Sequence, residues 1–209
     1  MKFYDCTIAP SPRRVRIFMA EKGIQIDTAQ VDLLNGENLK PEFLKINPRG
    51  VVPVLQLDDG TCIDETVPIC RYLEELYPDP PLMGHDAKSR AVIASRTRHM
   101  EMDGFLCGAE AFRNSTPGFA DRGIPGVTGV PAIPQLAERG RAGLLRFFDQ
   151  LERVLSQGPY IAGDTFSIAD ITALCVVDFA GWVKLGLSDS HPNARKWYGS
   201  VSSRPSAKA

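Results

Sequence analysis

The stretch that decides the fold is residues 46–77, INPRGVVPVLQLDDGTCIDETVPICRYLEELY. It contains an apolar run at 51–57, an Asp-Asp-Gly turn at 58–60, a second short run at 61–64 and a helical pattern from Glu65 onward. An Asp-Gly pair between two apolar runs predicts a β-hairpin. The stretch is therefore expected to fold as strand, turn, strand and helix.

Pro53 lies inside the first of these apolar runs and has no N–H group to donate to a sheet. We therefore expect it at the first residue of its strand or on a sheet edge. This position leaves the backbone N–H and C=O groups of Val52 free to pair with another molecule. Val52 is thus a candidate ligand-binding residue that acts through its backbone.

The start of the helix offers a second binding feature. Thr66 is a good capping residue, and Pro68 is tolerated in a first helical turn. A helix N-terminus presents free N–H groups and a positive dipole end, which bind a carboxylate. Glu65, beside it, supplies the opposite charge for an ammonium group. Glu65 and Thr66 together therefore suit the head of an amino acid.

These residues resemble the glutathione-binding half of the soluble glutathione transferases, through Asn47-Pro48 with Gly50, Val52-Pro53-Val54-Leu55 and Glu65-Thr66. In that family the bond before the matching proline is cis. The residue before that proline pairs through its backbone with the cysteinyl part of glutathione. The resemblance implies this role for Val52 and Pro53, and it implies that Glu65 and Thr66 hold the γ-glutamyl head.

The order of elements up to residue 77 is β-α-β-α-β-β-α, which predicts a small mixed sheet with helices on its faces. We therefore expect an α/β thioredoxin-like domain at residues 1–77. Three prolines within positions 78–81 forbid regular structure, so residues 78–86 are expected to form a linker. From there the hydrophobic spacing is helical throughout, which predicts an all-α C-terminal domain at residues 87–209.

Individual elements of the first domain also have expected bounds. The pattern predicts a strand at 1–8, a helix opened by Ser11 and Pro12, a second strand at 24–31 and a weak helix at 37–46.

In the C-terminal part we expect one long helix or a pair over residues 87–113, and another at 133–156 with Leu145 among its inward residues. The Gly- and Pro-rich loop at 114–134 separates them. Ser167 with Asp170 three residues later predicts a capping box at the start of a core helix.

Bulk properties exclude several classes of function. The chain has 209 residues, a net charge of -1 and a pI near 6.3, so it has no general attraction to nucleic acid or to an anionic membrane. No apolar run reaches the ~20 residues of a membrane span. Asp5 interrupts the start where a signal peptide would continue apolar, so we expect a cytoplasmic protein. Five scattered cysteines and three histidines show no metal-ligand spacing, so no metal is expected.

A thioredoxin-like sheet carries its reactive group where the first strand meets the first helix, because a helix N-terminus lowers the pKa of a thiol. This segment, residues 7–15, contains no cysteine, so an outside thiol such as glutathione must supply the nucleophile. The resemblance places the activating serine of theta-like and zeta-like members on Ala9, which has no hydroxyl. It places a second polar contact of nu-like bacterial members on Ser11.

We therefore take Ser11 as the candidate catalytic residue, with Thr7 in reserve. Two alternatives stay open at this point. Ser11 is equally suited to capping the helix, since serine is favoured at caps for that reason alone. Backbone N–H groups and the helix dipole are the other candidates for activating the thiol, without any hydroxyl.

The resemblance also implies contacts to the rest of glutathione and to a second substrate. Lys40 and Arg49 are candidates for holding the glycyl carboxylate, although such residues are more often solvated surface charges. The second site would bind a hydrophobic or acidic electrophile. The candidates to line it lie in the helical domain, where the competing interpretation is that they are core residues. They are Phe112, Arg113 and Trp182, with Met102, Phe105 and Phe119 as further members.

The function implied is that of a glutathione transferase, with glutathione as co-substrate, a homodimeric assembly and a part in detoxification. The alternatives are a glutathione-disulfide oxidoreductase and a non-catalytic binding or interaction module on the same fold. The grip formed by Val52, Glu65 and Thr66 argues against the non-catalytic module, and the missing hydroxyl at Ala9 argues for it.

Overall fold

The computed structural model describes residues 1–209. The first part of the chain forms four strands and three α-helices around one sheet. These elements are β1 (Lys2–Asp5), α1 (Pro10–Glu21), β2 (Asp27–Gln30), a 3₁₀ turn (Glu37–Leu39), α2 (Pro41–Leu44), β3 (Val54–Gln56), β4 (Cys62–Asp64) and α3 (Thr66–Leu76).

The sheet has the strand order β2-β1-β3-β4. β1 runs parallel to β2 and antiparallel to β3, and β3 with β4 forms the hairpin that the Asp-Gly turn predicts. Phe3 of β1 pairs with Leu55 of β3, and both side chains are completely buried. The sequence of elements is the predicted β-α-β-α-β-β-α, so the thioredoxin-like layout is confirmed.

Two details at the helix starts correct the sequence predictions. Helix α1 begins at Pro10, one residue before Ser11, and Ala9 is its N-cap. Thr66 is the first residue of α3 rather than its cap, because Glu65 takes the N-cap position with a positive φ of 68°. In both cases the N-cap is a residue that precedes the serine or threonine favoured for capping.

The strands are shorter than their apolar runs. β1 covers only part of 1–8, β2 only part of 24–31, and β3 begins after Pro53. Pro53 has no N–H group, so the ladder starts at the next residue, as expected for a proline at the beginning of a strand. The predicted weak helix at 37–46 is divided into the 3₁₀ turn and α2, because Pro41 begins a new helix at its own first position.

The rest of the chain is helical, which confirms the all-α class. The elements are α4 (Ala87–His99), a π-helical segment (Met100–Phe105), α5 (Leu106–Arg113), a 3₁₀ turn (Pro117–Phe119), α6 (Pro134–Leu155), α7 (Ile168–Gly181), α8 (Pro192–Ser202) and a final 3₁₀ turn (Pro205–Lys208). The expected long helix or pair at 87–113 is thus α4 and α5, joined through the π-helical segment. None of the helices has the length and apolar character that a membrane span requires.

Helix α7 is the centre of the helical part. Its capping box is present: Ser167 accepts a hydrogen bond from the Ala169 N–H, and Asp170 accepts one from the Ser167 N–H at 3.0 Å. Asp170 also accepts from Trp197 Nε1 at 2.9 Å and from the Ile161 N–H at 3.1 Å. Burial raises the pKa of Asp170 to about 6, and these donors oppose the rise by favouring the carboxylate.

The larger of two hydrophobic clusters, with 35 buried residues, runs from the sheet into the helices, and a second cluster of five lies in the sheet part. Ion pairs reinforce this junction at α1: Arg13 pairs with Asp178 at 2.5 Å, Arg14 with Glu101 at 2.9 Å, and Glu21 with Arg204 at 2.7 Å. The sheet and the helices pack into the same hydrophobic cluster and are joined by ion pairs. The two surfaces that face each other across the junction are therefore held in a fixed position relative to one another. The division at residues 77 and 87 stays a prediction.

Helices α5 and α6 pack with unusually close backbones. A Cβ at Gly140 of α6 would lie 2.5 Å from the Ala111 nitrogen and 2.6 Å from the Cys107 carbonyl oxygen. Leu145, predicted to point inward, is instead 51% exposed, and Phe147 is fully buried. Leu144, Phe148, Leu151 and Leu155, which the helical spacing also predicts to point inward, are buried, so the predicted face is wrong only at Leu145. Glycines rather than leucines form the close contact of α6 with α5.

We predict that Gly140→Ala lowers the free energy of unfolding by about 1–3 kcal/mol, because the new methyl group meets backbone atoms that cannot move aside. The matched control is Gly199→Ala in α8, where a Cβ meets nothing within 4 Å. Alanine there should stabilise by about 0.5–1 kcal/mol through helix propensity. Urea unfolding of both variants measures the difference, and equal effects of the two substitutions would contradict the close packing.

Candidate functional site

A cavity of about 220 Å³ lies between the sheet part of the chain and the helical part. One wall comes from the start of α1 and from the segment before β3, which includes Val51 and Val52. The other wall comes from α5, from the end of α7 and from the loop at 117–126. Twelve of its 20 lining residues are hydrophobic, so the cavity suits a ligand with a substantial apolar part.

Val52 brings free backbone groups to the cavity wall. The Val52–Pro53 peptide bond is cis, and neither the N–H nor the C=O of Val52 makes a hydrogen bond within the chain. Its neighbours are held in place, because Asn47 Nδ2 donates to the Val51 carbonyl at 2.9 Å and Asn38 Nδ2 donates to the Gly50 carbonyl at 2.7 Å. The segment therefore presents one donor and one acceptor on a fixed backbone.

The N-terminus of α3 is fixed to the start of α1. Thr66 is 1% exposed, and its hydroxyl donates to the Ser11 carbonyl oxygen at 3.1 Å. The first hydrogen bond of the helix is the one from the Ile69 N–H to the Glu65 carbonyl, so the N–H groups of Thr66 and Val67 precede it. These groups and the helix dipole form an anion-binding end next to the exposed carboxylate of Glu65.

Arg49 contacts the carboxylates beside this helix start. Its Nη1 lies 2.6 Å from Glu65 Oε1 and 3.2 Å from Asp64 Oδ2. The hydrogen bond to Glu65 raises the pKa of Arg49. Lys40 is exposed, and both basic residues lie outside the cavity wall. That either of them holds a glycyl carboxylate stays a prediction.

The first turn of α1 places Ser11 at the cavity. Ala9 also lines the cavity, so the position where the resemblance expects a hydroxyl has only a methyl group. Pro10 and Pro12 have no N–H groups, and the Ala9 N–H donates to the Cys6 carbonyl at 2.8 Å. Ser11 therefore supplies the one backbone N–H and the one hydroxyl of this turn that make no hydrogen bond within the chain.

The structure decides one of the two alternatives to a catalytic Ser11 hydroxyl. The capping interpretation of Ser11 is wrong, because Ala9 is the N-cap and no side chain caps α1. The reserve candidate, Thr7, is exposed and outside the cavity, and its hydroxyl lies 2.9 Å from Gln30 Oε1. Activation by the backbone N–H and the helix dipole remains open beside the Ser11 hydroxyl.

Aromatic rings form the opposite wall. Phe112 is their centre, with its ring 5.0 Å from that of Phe119, 5.7 Å from Phe179 and 5.2 Å from Trp182. The three residues predicted to line a second substrate site, Phe112, Arg113 and Trp182, all lie on this wall. Phe105 and Phe119 do too, whereas Met102 is 43% exposed and outside the cavity.

Phe119 of the loop after α5 was predicted on this wall, but sequence reasoning missed two other residues of the same loop. Arg122 and Gly126 line the cavity, and Arg122 Nη2 donates to the Leu33 carbonyl of the sheet part at 3.2 Å. Gly126 has a φ of 78° and contacts the Arg49–Gly50 backbone so closely that a Cβ would collide with the Arg49 carbonyl oxygen. The one signal was the length and Gly/Pro content of the loop, which is typical of functional loops.

A thioredoxin-like sheet joined to an all-helical part, with a cavity lined by both, defines a class of proteins that bind small molecules at this junction. The family model described as "Glutathione S-transferase, N-terminal domain" matches residues 9–76, and "Glutathione S-transferase, C-terminal domain" matches residues 99–205. The chain belongs to the glutathione S-transferase family.

Individual relatives agree with this assignment. "Glutathione S-transferase 2" of Saccharomyces cerevisiae is 36% identical over 100% of this chain and 88% of its own length. The crystal structure of Gtt2 from the same organism has a TM-score of 0.92 at 35% identity, covering 100% of this chain and 99% of that one.

Two bacterial structures are also similar. A glutathione S-transferase domain-containing protein of Marinobacter aquaeolei has a TM-score of 0.90 at 34% identity, covering 99% of each chain. A glutathione S-transferase of class Gtt2 from Vibrio parahaemolyticus has a TM-score of 0.85 at 32% identity, covering 100% of this chain and 96% of that one. The finer theta-like, zeta-like or nu-like assignment stays a prediction.

Proposed function

We propose that the chain is a glutathione transferase, which binds glutathione as co-substrate and promotes attack of its thiolate on an electrophilic small molecule. The observation that carries the proposal is the pair of unpartnered backbone groups of Val52 at the cavity wall. An extended peptide pairs with such groups by main-chain hydrogen bonds, as an added strand does. Family membership makes glutathione the peptide that fits.

Each part of glutathione then has a partner. The cysteinyl unit pairs with the Val52 N–H and C=O, which Pro53 leaves unpaired. The γ-glutamyl carboxylate binds at the N-terminus of α3, where Thr66 begins the helix, and its ammonium group pairs with Glu65. Arg49 is 2.6 Å from Glu65 and orients that carboxylate before the ligand arrives. Because α3 is tied to α1 through Thr66, the thiol is delivered to the first turn of α1.

In the first turn of α1 the thiol becomes a thiolate. The Ser11 hydroxyl and N–H donate to the sulfur, and the helix dipole favours its negative charge. The thiol proton passes to solvent, a sulfur lone pair forms the new carbon–sulfur bond, and the leaving group departs with its bonding electrons. No cysteine lines the cavity, so the nucleophile there is the glutathione thiolate and not a protein thiol.

The second substrate is a hydrophobic or acidic electrophile. Phe112 and Trp182 supply apolar surface opposite Ser11, and Arg113 supplies a positive charge on the same wall. An electrophile held between the two walls lies against the glutathione sulfur. Proximity and orientation then increase the rate at which the thiolate attacks it. A part in detoxification accords with a cavity whose contacts are mainly apolar and therefore tolerant of different substrates.

We predict that glutathione binds the protein in calorimetric titration and that Glu65→Gln weakens the affinity by about ten-fold or more, because the ammonium group loses its charged partner. The matched control is Glu138→Gln, an exposed glutamate of α6 that forms no ion pair and should leave the affinity unchanged. Absence of glutathione binding to the unsubstituted protein would favour the non-catalytic module instead.

We further propose a homodimer that works in the cytoplasm, where glutathione and the five unpaired cysteines stay reduced. The helical stretch from α4 to α5 exposes three large apolar side chains: Val92 of α4 is 39% exposed, Met102 of the π-helical segment 43% and Leu106 of α5 47%. An apolar surface of this kind is typical of an interface between copies.

Sedimentation equilibrium should therefore give twice the chain mass of 22.9 kDa. Met102→Asp should shift the equilibrium to single chains, because a charge in the interface is costly to bury. Leu145→Asp, which alters an exposed leucine on α6, serves as the control and should leave the assembly intact. A single-chain mass for the unsubstituted protein contradicts the dimer.

A further inference from the structure

Two guanidinium groups on the cavity wall have no acidic partner. Arg113, at the end of α5, and Arg122, in the following loop, both line the cavity, and the lining includes no Asp or Glu. Each uses a single N–H on a carbonyl oxygen: Arg113 Nη1 lies 2.8 Å from the Arg122 oxygen, and Arg122 Nη2 lies 3.2 Å from the Leu33 oxygen. A guanidinium has five N–H donors, so most of theirs remain available.

Phe119 holds both charges in one place. The Arg113 guanidinium carbon lies 5.0 Å from the centre of the Phe119 ring, and that of Arg122 lies 5.5 Å from it. The ring itself packs against Phe112 at 5.0 Å. Cation–π contacts of this kind fix the orientation of the two side chains. The pair is thus preorganised, and little side-chain freedom is left to lose when a ligand binds.

The two guanidinium groups repel each other, and no acidic side chain of the cavity lining offsets this repulsion. Burial, and then repulsion by Arg122, lower the pKa of Arg113 to about 10. The group stays protonated at neutral pH, so two like charges face the same partly buried space. A negative group between them relieves the repulsion, and its hydrogen bonds to guanidinium groups are of the strong, charge-assisted kind.

We propose that Arg113 and Arg122 form a carboxylate-binding site inside the cavity. The planar fork of each guanidinium matches the two oxygens of a carboxylate. In the context of the proposed function, the carboxylate has two possible sources. One is the glycyl end of glutathione, because Val52, the proposed partner of its cysteinyl unit, lines the same cavity. The other is an acidic group on an aromatic electrophile, since Phe112 and Trp182 lie beside the pair.

The first arm of the test uses unreactive probes of equal shape. We would titrate 3,5-dinitrobenzoate and 3,5-dinitrobenzamide into the protein without glutathione and measure both affinities by calorimetry. If the site takes the carboxylate of an aromatic ligand, the benzoate binds about ten-fold or more tightly than the amide. Arg113→Gln and Arg122→Gln each remove that preference and leave the affinity for the amide within about two-fold.

The second arm uses glutathione and its glycyl ethyl ester. If the site takes the glycyl carboxylate, the ester binds the unsubstituted protein about ten-fold more weakly than glutathione does. The two Gln variants then bind glutathione and the ester equally. Arg153→Gln, which alters an exposed arginine of α6 without an ion pair, is the matched control and should change neither arm.

Protein integrity is checked within the same experiment. Unchanged amide affinity shows that the variants keep the cavity, and Arg113→Lys restores part of the preference because it restores the charge. The proposal is overturned if neither carboxylate probe is preferred over its neutral counterpart, or if the preference survives both Gln substitutions. Benzoate binding without glutathione binding would support this site while contradicting the proposed transferase function, so the two failures are distinguishable.

Discussion

One hydrogen bond connects the two helix ends on which the site depends. The Thr66 hydroxyl, completely enclosed at the start of α3, donates to the Ser11 carbonyl in the first turn of α1. The N-terminal ends of the two helices therefore lie next to each other. One end is placed to hold the carboxylate of a peptide head, and the other is placed to hold its sulfur. The cis Val52–Pro53 segment, just before β3, supplies backbone groups for the middle of the peptide.

The helical part completes the cavity rather than merely covering it. Ion pairs from α1 to α7, to the π-helical segment and to the C-terminal end fix the aromatic wall opposite Ser11. The loop after α5 then crosses to the sheet part, where Gly126 fits against the backbone near Gly50. Because a side chain at Gly126 would not fit, this crossing depends on a particular residue and not only on loop length. The junction thus creates the site, and neither part contains it alone.

Much of the fold could be predicted because its signals are local. The Asp-Gly turn indicated the hairpin, Pro53 indicated where β3 begins, and Ser167 with Asp170 indicated the start of α7. Each of these depends on residues within a few positions of one another. The free backbone of Val52 followed from the missing N–H of its neighbour. Cavity residues on α5 were predicted because the family resemblance implies a second substrate between the sheet part and the helical part, against the long helix and the Gly/Pro loop.

What could not be predicted depends on contacts between distant parts of the chain. Arg122 reaches the cavity only because its loop docks on Leu33, and no sequence pattern encodes that contact. Arg49 pairs with Glu65 across the hairpin, and no local sequence pattern indicates this pairing because the two residues are far apart in the chain. Ser11 was expected to be suited to capping because propensity favours it there, but the chain turns into α1 at Ala9, which leaves the Ser11 hydroxyl without a partner.

The central claim is that the first turn of α1 activates the thiol of bound glutathione. Its most direct test is a pH titration of the ultraviolet thiolate absorbance of the complex. We predict a thiol pKa clearly below the ~8.5 of a free thiol. Ser11→Ala should raise it by about one pH unit, and Ser200→Ala, an exposed control in α8, should not. A lowered pKa that Ser11→Ala leaves unchanged assigns activation to the N–H group and the dipole, and a bound thiol that titrates like the free one contradicts the claim.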